Sequence, residues 1–260
     1  MKRAARAGLA LGVALIGSSL TSLAATSLTA QSIAPPTQQK VAEPVDAVAA
    51  AAATAPAALA RVTFQLDQEG AMVPRFTLAI AEDGRVSYVA EQVVPAGARE
   101  GVSATPATQH VEQRALLTQA TTARIFELAR ASDRFNIACE ALAKKVADMG
   151  RKTLSYSGPG GDGSCVYNYS EIKSVATLTQ LLRGITMTLD MGRKLDFDHR
   201  FDRLGLDDDT SDLVETIADG RAVEVNMIAP TLHAIAEDTE VLERVRARAT
   251  TLLQRFPPAQ

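Results

Sequence analysis

The chain has 260 residues, with 27 Lys and Arg against 30 Asp and Glu, two cysteines and no tryptophan. Its formal charge of −3 lacks the basic excess that neutralises phosphate backbones, so no nucleic-acid partner is expected.

Residues 1–30 open with Lys2, Arg3 and Arg6, continue through an apolar run from about Ala7 to Ile16, and close in small residues. That order is the pattern of a secretory signal peptide, with cleavage after Ala24 or Ala30. Gly12, Gly17 and the serines dilute the run below the roughly 18 apolar residues a spanning helix needs, so no transmembrane segment is expected after cleavage. Residues 31–60 are rich in Ala and Pro and contain no aromatic residue. Pro35, Pro36, Pro44 and Pro56 interrupt any helix there, and the composition predicts a flexible tether.

The alternation of Val62, Phe64 and Leu66 begins the folded part. Phe76, Leu78 and Ile80 alternate before Asp83-Gly84, and Val86, Tyr88 and Ala90 alternate after it; together these predict a three-stranded meander. Val93 to Gln109 reads as an irregular connection, which places His110 in a loop, and a helix is predicted over Glu112 to Ala131. The stretches "KTLSYS" and "SCVYNYS" predict a second hairpin around Gly158, Pro159, Gly160, Gly161, Asp162 and Gly163. In it Cys165, Tyr167 and Tyr169 share one face. A helix from Glu171 to about Met191 carries Val175, Leu178, Leu182, Ile185 and Leu189 at core spacing.

The run "GRKLDFDHRFDRLGLDDDTSD" then reads as a connection, with Asp209 or Thr210 capping a helix that Gly220 ends. Further helices are predicted over Ala222 to Glu237, where Pro230 threatens a kink, and Glu240 to Phe256. The fold class is therefore α+β: a small antiparallel sheet of two hairpin units packed by amphipathic helices over residues 61–192. A C-terminal helical bundle or hairpin follows over 193–260.

An even cysteine count behind an export signal predicts a disulfide between Cys139 and Cys165. The glycine run lacks the lysine and following helix of a phosphate loop, and Asp162 repels an anion. The histidines His110, His199 and His233 are scattered along the chain, and no serine-hydrolase motif is present. "DFDHRFD", with Asp196, Asp198, His199 and Asp202, and the acids at 207–209 lack the ligand spacing of calcium or zinc sites. No metal or cofactor is expected. Tyr88, Tyr156, Tyr167 and Tyr169 read as sheet residues at the edge of the core.

The order "FTLAIAEDGRVSY", a helix, "KTLSYSGPGGDGSCVYNYS" and a second helix resembles small exported bacterial proteins of unknown function, over about Arg61 to Leu189. That resemblance brings no activity and no catalytic residue. The expected function is that of an exported, non-catalytic binding module with a protein or peptide partner in the cell envelope, in the periplasm or outside the cell. Contact is expected through a sheet edge or the loop from Gly158 to Gly163. The alternative is an extracytoplasmic hydrolase using His199 with Asp196, Asp198 or Cys165.

Overall fold

Apolar side chains at every second position need a sheet with one buried face, and six strands supply it. A computed structural model of the chain describes residues 59–94, 107–142 and 146–257. The expected signal peptide and nearly all of the expected tether lie outside those residues. Strands β1 (Arg61–Asp67), β2 (Arg75–Ala81), β3 (Arg85–Val94), β4 (Ala107–Leu116), β5 (Arg151–Ser157) and β6 (Gly163–Tyr167) form one antiparallel sheet. Their order is β4-β3-β2-β1-β5-β6. The meander and the second hairpin are thus two halves of one sheet, joined where Phe64 of β1 stands opposite Leu154 of β5.

The inward face carries Val62, Phe64, Leu66, Leu78, Ile80, Tyr88 and Leu154, all buried. Phe64, Phe76 and Tyr88 form a ladder across β1, β2 and β3, with ring centroids 5.6 and 5.7 Å apart. Truncating such a buried ring costs about 3–5 kcal/mol.

Helix α1 (Gln119–Ala131) covers this face together with α2 (Lys173–Phe201). Ile125, Phe126 and Ala129 of α1, and Val175, Leu178, Leu182, Ile185 and Leu189 of α2, join the sheet core. Helices α3 (Leu206–Ala218), α4 (Ala229–Glu237) and α5 (Glu243–Arg255) follow. They bury Leu206, Leu213, Leu232, Ile235, Val245 and Leu252 in a second core together with Leu195 of α2. Residue 192, where the sequence placed a boundary, lies inside α2, and the core changes over between Leu189 and Leu195.

Several expected boundaries move. Residues 112–116 are strand, not helix: β4 pairs with β3 over ten positions, and His110 sits on β4 opposite Glu91 rather than in a loop. Glu, Gln, Arg and Ala favour a helix there, but the ten-residue β3 offers a complete ladder of backbone partners, and pairing overrides the preference. The helix begins only after Thr118, whose hydroxyl accepts from the Thr121 amide. The expected connection after Met191 is instead the last third of α2, which continues to Phe201. Thr210 does not cap α3; its hydroxyl donates to the Leu206 carbonyl inside the helix. Pro230 causes no kink, because it stands in the first turn of α4, where no intrahelical amide is needed.

Long-range polar contacts fix the helices on the sheet. Tyr88 donates to both carboxylate oxygens of Asp190 on α2, at 3.1 and 3.0 Å. Burial pushes both the hydroxyl and the carboxyl above their usual ranges. Glu224 reaches from beyond α3 to the start of α1, accepting from the Thr118 amide and from the hydroxyls of Thr118 and Thr121.

Candidate binding site

Cys139 and Cys165 lie at disulfide distance, with an S–S separation of 1.94 Å and Cα atoms 5.8 Å apart. The bridge fastens the chain after α1 to β6. Between α1 and Cys139 the backbone makes a turn in which Asp133, Arg134 and Phe135 all take positive φ, at 47°, 52° and 69°. Each such residue costs about 1–2 kcal/mol. Full burial of Phe135 opposes that cost, as does the hydrogen bond that the Phe135 amide donates to the Ser132 carbonyl at 2.8 Å.

That turn also holds the glycine loop. Arg134 lies 5.9 Å from the centre of the Tyr156 ring and packs on Gly160, where a Cβ would come within 2.7 Å of the guanidinium. A Cβ on Gly163 would stand 2.2 Å from the Arg134 carbonyl oxygen, so glycine is required for this approach. Within the loop, the Gly158 amide donates to the Asp162 carboxylate at 3.2 Å, and Tyr156 donates to the Pro159 carbonyl at 3.2 Å. Pro159, Gly160, Gly161 and Asp162 are exposed at the tip.

The side chains of the hydrolase alternative are not brought together. Cys165 has its sulfur in the bridge. Asp196 pairs with Arg200 at 2.8 Å, and Asp198 pairs with Lys194 at 3.1 Å. His199 instead donates from Nε2 to Asp238, at 2.9 Å, and Arg203 meets the same carboxylate at 3.3 Å. This cluster ties α2 to the end of α4. His110 and His233 are exposed on β4 and α4. Among the described residues no group of three His, Cys, Asp or Glu side chains is arranged to hold a metal ion. No helix among them is long and apolar enough to cross a membrane.

A cleft of about 360 Å³ opens where the end of the β5–β6 hairpin meets α2. Its size falls within the roughly 300–1,000 Å³ of small-molecule pockets. One wall is a second stripe of α2, made by Ala176, Thr179, Gln180, Arg183, Gly184 and Met187 at three- and four-residue spacing. The facing wall comes from Met149, Lys152, Asn168 and Tyr169. Gly220 and Arg221, just past α3, close the far end. They come near because Gly184 has no side chain: a Cβ there would stand 3.0 Å from Val223 and 3.3 Å from the Arg221 carbonyl. Thr188 secures the approach by donating to the Val223 carbonyl at 2.6 Å.

Lys152 forms the floor. It occupies an inward position of β5 and is only 3 % exposed. Its ammonium donates to the carbonyls of Met149, Gly150 and Asn168 at 2.9, 2.9 and 2.8 Å, clamping the two ends of the hairpin together. Burial holds it below the usual lysine range, and the charge of Arg183 adds to that effect. Arg183 is exposed and forms no ion pair with a described residue, whereas Arg221 pairs with Asp219 at 3.0 Å. Met149, Tyr169 and Met187 are 42 %, 42 % and 40 % exposed around the opening.

Sequence reasoning missed this cleft and set Tyr169 on one face with Cys165 and Tyr167. The strand ends at Tyr167, which is buried, so alternation no longer governs Tyr169. Two signals were present: a lysine on the apolar face of "KTLSY", and a second stripe on the helix beginning at Lys173. No family model matches the chain, and no curated protein matches it in sequence.

Proposed function

We propose that the protein is an exported, non-catalytic binding module that receives a small ligand in the cleft between the β5–β6 hairpin and α2. The observation that carries this reading is the cleft itself, where three large apolar side chains stand exposed around a buried lysine and an arginine that has no acidic partner among the described residues. Apolar walls with a few placed polar groups are the usual makeup of a ligand site. Export is supported by the three-part N-terminal pattern and by the two cysteines at disulfide distance, a bond that persists in oxidising compartments.

Nuclear magnetic resonance of the ¹⁵N-labelled protein, titrated with a panel of short-chain acids, alcohols and amines, tests the reading. Shift changes are expected at Met149, Asn168, Tyr169, Arg183 and Met187, with the ligand recovered unchanged. Changes confined to other surfaces, no change with any compound, or chemical conversion of a compound would each refute it.

A further inference from the structure

Resting on that reading of the cleft, we infer that its ligand is a small amphiphile with a single carboxylate, whose head meets Arg183 while its apolar body lies against Met149, Tyr169 and Met187.

The charge of the lining is the first argument. The chain has more acids than bases, yet the charged side chains facing the cleft are Lys152, Arg183 and Arg221, with no Asp or Glu among its lining residues. Two like charges near one another in a partly desolvated wall repel, and an anion between them removes that cost. The acids that lie close to Lys152 are turned elsewhere. Asp148 accepts from the Gly150 amide at 2.9 Å and Glu140 from the Asn168 amide at 2.5 Å.

The division of labour among the cations is the second. All three ammonium protons of Lys152 are spent on carbonyls, so it offers charge but no free donor. Arg221 is engaged with Asp219. Arg183 is left without an ionic partner among the described residues, and its planar fork matches a carboxylate through two parallel hydrogen bonds. With one guanidinium left to meet the head group, a single carboxylate fills its fork.

The third is the apolar rim. Met149 and Met187 are unbranched and adaptable, and Tyr169 adds a flat face, a set that accommodates an alkyl chain without demanding one shape.

Calorimetric titration of the full chain with decanoate, decanol and decyl phosphate tests the inference, using the wild type and Arg183→Gln. Arg183 is exposed on the helix, so the variant retains the fold, which its amide spectrum verifies. Decanoate is expected to bind most tightly, and Arg183→Gln to weaken it about tenfold or more while leaving decanol unchanged. Equal affinities for decanoate and decanol, both indifferent to Arg183→Gln, would overturn the carboxylate assignment and leave the cleft as a binding site. Preference for decyl phosphate would overturn the monoanion. Absence of binding by all three would overturn the inference and count against the cleft reading itself.

Discussion

Glu224 couples the C-terminal helices to the sheet layer, and its removal separates two effects of opposite sign. The side chain accepts at 2.7 Å from the Thr118 amide, at 2.8 Å from the Thr118 hydroxyl and at 2.5 Å from the Thr121 hydroxyl. Its own backbone sits at φ +57°, in the left-handed region. Glu224→Ala leaves a part-buried amide without a partner, at about 2 kcal/mol, and removes two hydroxyl hydrogen bonds together worth about 1 kcal/mol. The expected loss is therefore about 3 kcal/mol. Glu224→Gly loses the same contacts but relieves about 1 kcal/mol of backbone cost, so it should lose about 2 kcal/mol. Glu224→Gln retains one acceptor oxygen and should lose about 1 kcal/mol. Urea unfolding of the three variants at neutral pH reads the series directly. A glycine variant as stable as the wild type would show that the contacts contribute nothing. An alanine variant matching the glycine one would remove the argument from backbone geometry.

Two further perturbations address the rest of the fold. The Cys139–Cys165 bridge spans 26 residues, so reduction, or Cys139→Ala with Cys165→Ala, should cost about 3 kcal/mol by unfolded-state entropy; a urea-derived loss below about 1 kcal/mol would contradict this. Asp198 is pushed up to about 6, chiefly by burial and then by the neighbouring Asp209 carboxyl, with Lys194 opposing. Because the unfolded carboxyl titrates near about 4, the folded state holds the extra proton between those values, and stability should fall as pH rises from about 4 through about 6. Asp198→Asn should flatten that slope in urea midpoints, and an unchanged slope would assign it to another group. Asp207, held well below the usual carboxylate range by Arg244 and Arg248, acts in a separate window and loses its contribution only as pH falls below about 4.

Much of the sheet was legible because alternation is a local property. Phe64, Leu78 and Tyr88 declare the inward face of their strands before any partner is known, and Asp83-Gly84 fixes the first hairpin. The pairing of β1 with β5 was not legible, since it joins segments about ninety residues apart and each strand reads equally well as an edge. β4 was misread because its propensities are helical and only Val111 of its ten residues is fully buried. The extension of α2 was hidden by the charged residues between Gly192 and Phe201. Gly192 lies against Ile228, where a Cβ would come within 2.2 Å of that side chain, so its reason is a tertiary contact that no local pattern announces.

At the site, the cysteine pair followed from an even count and the expected export signal, while the cleft did not. Its walls come from the hairpin ends, α2 and the turn after α3, three segments whose meeting depends on Gly184 and Thr188. His199 shows the converse limit. Its sequence neighbours Asp196 and Asp198 suggested a partner, but helical geometry sends them to Arg200 and Lys194, and His199 finds Asp238 instead.

The most direct test of a ligand site at this cleft uses protein labelled with ¹³C at its methionine methyl groups, in the presence of decanoate. The account expects intermolecular Overhauser effects from the alkyl chain to Met149 and Met187, which line the cleft, and none to Met72, which is exposed elsewhere. Effects to Met72 without any to Met149 or Met187 would contradict it.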